Sequence, residues 1–281
     1  MWQIGNVKVS RIVELEMPGL SFVLPDAIPE KLRAIDWLAP YFVSEDWEAI
    51  ASIQAFIVES KGKRVIVDTC LGNDKKLPIR RWSNRKGPFL EHLASAGFPR
   101  QTIDTVLCTH LHMDHIGWNT MQVDGAWVPT FPNAQYLFGR LEWEHWDRTR
   151  ENWTPTIIEE SIQPILDARL HKLVETDHRI TDEVWLEPTP GHTPGHVSVR
   201  ISSNGEQAII TGDLMHHPCQ VARPQWNSVA DSDPQQACVT RHAFVAQRAE
   251  KGELVIGTHF AAPVVGHIVR DGEGFRFRVL T

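Results

Sequence analysis

The stretch "THLHMDHIGW" (Thr109–Trp118) sets three histidines and one aspartate within six consecutive positions, His110 to His115. It follows directly on "TVLCT" (105–109), an apolar, β-branched run that reads as a strand, so the cluster sits at a strand's carboxyl end. Residues two apart share one side of an extended segment but not of a helix, so His110 and His112 can point at one ion. A turn through Met113 then directs Asp114 and His115 at a second ion beside the first. Imidazole and carboxylate donors without thiolate suit Zn²⁺, with Mn²⁺ or Fe²⁺ as alternatives. The competing explanation is a solvated, histidine-rich loop, since the chain holds 14 histidines, but chance seldom produces this spacing.

Further metal-capable groups fall in matching places. His192 follows "EPTPG", Asp213 ends "AIITGD" and His259 ends "LVIGTH", each just past an apolar, strand-like run. Sites in α/β sheets collect outside the carboxyl ends of strands, so four such ends can converge on one cleft. Seven ligands then divide between two ions, with a carboxylate shared and a position left open for water.

Around these motifs the chain alternates sheet and helix. "NVKVSRIVEL" (6–15) alternates like a half-buried strand, and "SIQAFIVESKGKRVIVDTC" (52–70) reads as a hairpin about Lys61-Gly62-Lys63. Residues 16–50, rich in Pro, Trp and Phe, lack periodicity and read as an irregular arm. "PFLEHLASAGF" (88–98) is helical and stops at Gly97. The segment 139–180 is expected to be a largely helical insertion over the site and outside the core sheet, with Trp143, Trp146 and Trp153, and with Pro155 and Pro164 as breaks. In the second half, 184–190, 196–203, 207–213 and 254–260 read as strands, 233–252 as a helix, and "HIVRDGEGFRFRVL" (267–280) as a closing hairpin. With no repeat and no linker, residues 1–281 are expected to form one α/β domain.

With 28 basic and 35 acidic side chains, the net charge of −7 disfavours nucleic acid as a partner. No signal-like start and no long apolar run is read, so a cytoplasmic protein without membrane association is expected. The cysteines, Cys70, Cys108, Cys219 and Cys238, are widely spaced and read as reduced thiols.

"HLHMDH", the later "PGHTPGH", "TGD" and "GTH" together resemble the metallo-β-lactamase superfamily, in the right order and over about 52–260. The resemblance implies an αββα four-layer sandwich with metals at one edge of the two sheets. It makes His110, His112 and His192 ligands of one ion and Asp114, His115 and His259 ligands of the other, with Asp213 bridging. Asp68 matches an aspartate that supports the ligands by hydrogen bonding. Within the superfamily, the 140s segment and "THFAAPVVGHIVRDGEG" look most like the branch of N-acyl homoserine lactonases and methyl parathion hydrolase. Lactonases of that branch typically carry a tyrosine three positions after the bridging aspartate. Here His216 stands there as the candidate substrate donor. His217 is expected to be a surface or supporting residue, and His196 to make a structural hydrogen bond.

This chemistry leads to a dinuclear metal hydrolase in which two ions sharing a water lower its pKa from 15.7 toward about 7. Asp114 is the candidate proton shuttle, and no side-chain nucleophile is needed. Phe22, Trp37, Trp118, Trp146, Trp226 and Phe260 are candidate walls of an apolar pocket. The expected substrate is a small lactone or ester, an organophosphate or aryl ester being the alternative. An iron-dependent oxidoreductase and a non-catalytic metal-binding protein are readings of other classes. A homodimer is a further expectation, from the apolar arm.

Overall fold

A computed structural model describes residues 1–149 and 154–280, so Trp153 lies outside the described residues. The chain opens with β1 (Trp2–Ile4) and β2 (Val7–Pro18), then winds through short turns, including a single α-turn, α1 (Pro29–Leu32), before β3 (Ile50–Ser60). β4 (Lys63–Val67) returns from β3 through Lys61 and Gly62, whose φ values of 52° and 76° are those of a tight hairpin turn. After α2 (Phe89–Ser95) come β5 (Thr105–Leu107), a one-turn helix α3 (Met113–Ile116), a small hairpin of β6 (Thr120–Val123) and β7 (Ala126–Pro129), and β8 (Gln135–Gly139). Three helices follow, α4 (Arg140–Thr149), α5 (Thr154–Ser161) and α6 (Gln163–Asp167), leading to β9 (His171–Val174).

The rest of the chain forms β10 (Val184–Pro188), β11 (Val197–Ser203), β12 (Glu206–Ile210), the turn α7 (Cys219–Ala222), the long α8 (Pro234–Lys251), β13 (Leu254–Ile256), β14 (Val265–Asp271) and β15 (Gly274–Val279). Local chemistry fixes the limits of α8. The Asp233 side chain accepts from the Gln236 N–H, Pro234 opens the first turn, and Gly252, at φ 65°, closes the last.

One sheet runs β1-β2-β3-β4-β5-β8-β9 and the other β10-β11-β12-β13-β14-β15. The period-two alternation of the strands shows how the layers stack. Phe56, Val58, Val65, Val67, Leu107 and Leu137 join one core with Val199, Ile201 and Val255 of the opposite sheet. Their neighbours Ala55, Ile57, Ile66, Val106, Tyr136 and Phe138 face outward into a second core with Phe89 and Leu93 of α2 and Ile157 of α5. On the other side, Phe244 and Val245 of α8 are packed into the first core. The result is the αββα sandwich expected from the sequence.

One expectation is corrected. The 139–180 segment is helical only to Asp167, and 171–174 is a strand pairing in parallel with β8. A parallel pair cannot be joined by a tight turn, so α4–α6 serve as the crossover of a βαβ unit rather than as a free insertion. The structure adds the β6–β7 hairpin, turned at Asp124-Gly125 with φ of 51° and 81°. Among the described residues no helix is long and apolar enough to cross a membrane. All four cysteines are free.

Candidate metal centre

The parallel strands β4 and β5 end side by side, and the loops beyond them are laced together. Thr69 N–H donates to His115 O (2.7 Å), Gly117 N–H to Cys70 O (2.7 Å) and Trp118 N–H to Thr69 O (2.8 Å). The approach is so close that a Cβ at Gly117 would lie 1.9 Å from the Leu71 carbonyl carbon. Glycine is therefore dictated here by contact rather than by φ. His110, His112, Asp114 and His115 are thereby fixed at the mouth of the first sheet. His192, Asp213 and His259 arrive from loops after β10, β12 and β13 of the second. Gln54 of β3 clamps the last of these loops, its amide donating to Thr258 O (2.8 Å), Phe260 O (3.1 Å) and Gly257 O (3.2 Å).

The seven predicted ligands form two clusters. In the first, His112 Nδ1 lies 3.0 Å from His110 Nε2 and 2.9 Å from His192 Nε2. Asp213 Oδ2 closes that cluster at 3.8 Å from His110 and 3.5 Å from His192. In the second, His115 Nε2 and His259 Nε2 are 3.2 Å apart, and Asp213 Oδ1 stands 3.2 and 3.0 Å from them. Asp114 lies 3.8 Å from His115 and 3.7 Å from His259. Ligands at 2.0–2.1 Å around a tetrahedral zinc are separated by about 3.3 Å, so both clusters have the size of a metal shell.

The outer nitrogens explain which face of each ring turns inward. His192 Nδ1 donates to Asp231 Oδ1 (2.8 Å) and His259 Nδ1 to Ser52 O (2.8 Å). His110 Nδ1 pairs with Thr109 Oγ1 (3.1 Å), whose hydroxyl donates to Asp68 (2.9 Å). His115 Nδ1 lies 3.0 Å from Asp68 Oδ2. In the His110–His112–His192 cluster, neutral rings point bare lone pairs at one another across about 3 Å, an arrangement that a cation stabilises. Asp213 Oδ1 is buried and accepts no hydrogen bond among the described residues, which fits an oxygen reserved for an ion. The residues therefore fit a pair of divalent ions.

Burial dominates the protonation of these groups. It holds His110 and His112 well below the usual imidazole range, their imidazole neighbours adding to the effect. It would also lower His115 and His259, but the nearby carboxylates together outweigh it and raise both, Asp213 and Asp114 at each ring and Asp68 as well at His115. Burial would raise Asp213, yet His115, His259, His216 and His110 together hold it well below the carboxylate range.

His216 is brought to the same floor, Nε2 at 3.3 Å from Asp213 Oδ2, with its ring stacked on His259. Its buried Nδ1 has no hydrogen-bond partner among the described residues. His196 makes the structural bond expected of it, accepting from Asp213 N–H at 2.8 Å. His217 is not at the surface: it is fully buried, donating to Phe42 O (2.8 Å) and so pinning the 16–50 arm. Burial, with the neighbouring His192 in the case of His196, lowers His196 to about 3, and burial lowers His217 to about 4. The unfolded chain, with ordinary imidazoles near 6.5, thus takes up protons first. Their contribution to stability is full above pH 6.5 and is lost as pH falls through about 4 and then 3. Urea midpoints of metal-free protein are expected to fall steadily from pH 6.5 to 4.

A cavity of about 530 Å³ opens over the clusters, floored by His112, Asp114, His192, Asp213, His216 and His259. Of the candidate walls only Phe22 and Trp146 line it; Leu20, Val23, Ile53, Ile79, Trp82 and Val229 are among the residues that supply the rest of the apolar surface. Trp118 stacks on Phe89 and donates to Glu14, Phe260 packs on Phe277 in the core, and Trp37 lines a different groove. Trp226 packs against the inter-sheet core. The loop bearing Ile79 and Trp82 is anchored by buried Lys75, which donates to Thr120 Oγ1 (2.6 Å) and Glu160 O (2.8 Å). Burial lowers Lys75 to about 7.

Sequence reasoning missed Asp231, Glu142, Ser52 and Gln54. These act through bonds to ligands or ligand loops 31 to 207 positions away, and no local spacing marks them.

Comparison with known proteins agrees with this geometry. A stretch of 118 residues is 32% identical to an N-acyl homoserine lactonase of Bacillus sp, covering 42% of this chain and 40% of that one. The match thus spans less than half of the lactonase. Among solved structures, "hydrolase AbOPH in beta lactamase superfamily" superposes with a TM-score of 0.81 at 25% identity, covering 100% of this chain and 96% of the other. AidC, described as a dizinc quorum-quenching lactonase in complex with a product, gives a TM-score of 0.78 at 23% identity, covering 100% and 96%; at that identity it speaks for the fold. Residues 51–259 match the Metallo-beta-lactamase superfamily, and with two histidine and aspartate clusters at the edge of an αββα sandwich, the chain belongs to that superfamily.

Proposed function

We propose that residues 1–281 form one domain that hydrolyses a small, uncharged lactone or ester with the help of two divalent ions, zinc in the first instance. The observation that carries this reading is Asp213, whose two oxygens face two separate histidine clusters at the floor of an apolar cavity. His110, His112 and His192 would hold one ion, Asp114, His115 and His259 the other, and Asp213 both. Bound there, the ions supply a water acidic enough to ionise near neutrality and a Lewis acid for the carbonyl oxygen.

The chain's own groups do the rest. Asp114, at the cavity floor and only partly engaged by His115 and His259, carries the proton toward the leaving oxygen. His216 donates to the substrate carbonyl in place of the tyrosine typical of the lactonases. The walls Leu20, Phe22, Ile53, Ile79 and Trp82 exclude water and hold an apolar chain. None of the described residues lining the cavity is Lys or Arg, which favours uncharged substrates over anionic ones. The named activity of the Bacillus relatives supports a lactone as the first substrate to try.

The test is a hydrolysis panel of acyl homoserine lactones, simple γ- and δ-lactones, p-nitrophenyl esters, a phosphotriester and a β-lactam. Turnover is expected for a neutral lactone or ester, and none for the β-lactam carboxylate. Hydrolysis of none of the first three classes would overturn the reading. His216→Ala is expected to lower kcat by about 10²-fold with both ions retained, the effect of removing one preorganised donor. His216→Tyr should recover most of the loss on a homoserine lactone.

A further inference from the structure

Glu142, in the first turn of α4, is only 1% exposed, and its carboxylate gathers three neutral N–H donors from three parts of the site. Oε1 accepts from Leu111 N–H (3.1 Å) and from the Trp146 indole (2.7 Å), and Oε2 accepts from Gly195 N–H (3.1 Å). Leu111 lies between His110 and His112. Gly195 lies in the loop that starts at His192 and runs into His196, the acceptor of Asp213 N–H. Trp146 lines the cavity and sets its ring edge-to-face on His112, centroids 5.4 Å apart. The packing leaves no slack, since a Cβ at Gly195 would lie 2.3 Å from the Glu142 nitrogen.

We propose that Glu142 is a positioning residue that locks the His110–His112–His192 cluster to the cavity wall, so that one side chain sets both metal affinity and the place of the substrate. The inference rests on the two-metal reading above. Its electrostatic basis is simple. Two divalent ions bring four positive charges, and the clusters supply only the carboxylates of Asp114 and Asp213. Buried carboxylates one bond further out reduce the remaining charge. Asp68 and Asp231 do so beside His115 and His192, and Glu142 does so through the backbone that carries His110 and His112. An amide in its place has one acceptor oxygen for three N–H groups and sets its own NH₂ against one of them.

Stepwise titration of metal-free protein with Zn²⁺ against a chromophoric chelator tests this. Glu142→Gln is expected to weaken one of the two binding steps by about 10- to 100-fold, the range found when a supporting partner of a ligand is lost, while the other step stays as in wild type. Trp146→Phe keeps the other two N–H donors and is expected to raise KM while leaving both steps unchanged. Should Glu142→Gln fail to fold, Glu142→Asp, which keeps the charge but withdraws it by one methylene, carries the same test. Unchanged steps, or both steps weakened together with the melting temperature, would overturn the proposal. A wild-type chain that takes up no ion would instead overturn the metal reading, and this inference with it.

Discussion

Asp213→Ala is expected to abolish hydrolysis, lowering kcat/KM by at least about 10³-fold, because acidifying the water and polarising the carbonyl both depend on the paired ions. The geometry makes this the most damaging single change. Oδ2 lies 3.5 Å from His192 Nε2, and Oδ1 lies 3.0 Å from His259 Nε2, so one residue serves both clusters. Its loss also removes the largest of the charges that keep His115 and His259 above the ordinary imidazole range. Elemental analysis of the variant should find fewer than two ions per chain. Retention of two ions and of more than a tenth of the activity would show that Asp213 does not join the clusters.

Removal of metal is expected to destabilise the fold as well as stop turnover. The ligand imidazoles are buried, His110 fully and His112 at 9% exposure, and the inward nitrogens of His110 and His192 lie about 3 Å from that of His112. Without a cation those lone pairs repel, and an ion bound only by the folded chain adds about 4 kcal/mol at a thousandfold excess over its Kd. For a chain of this size the melting temperature should drop on the order of 10 °C after chelation, and added Zn²⁺ should restore it. A melting curve that chelator does not move would mean that the clusters hold no ion in solution.

Much of this was legible in the sequence because the ligands share a local rule. His110, Asp213 and His259 each stand three positions past the end of a strand, after β5, β12 and β13, and His192 stands four past β10. Strand runs such as "TVL" and "LVI" are readable from β-branched composition alone. The supporting shell obeys no such rule, since the Asp231 carboxylate meets His192 only after α7 and the loop behind it have folded back. The walls were misread for a related reason. An aromatic ring in sequence does not reveal whether it faces cavity or core, and Trp118 and Phe260 proved to be core. β9 was absorbed into a helical segment because "HKLV" is short and amphipathic, and only its pairing with β8 makes it a strand.

The central claim is that the two clusters bind two ions joined through Asp213. Elemental analysis of protein purified without chelator or added metal tests it most directly. Two divalent ions per chain are predicted, falling below two in Asp213→Ala. One ion or none in the wild-type protein would contradict it.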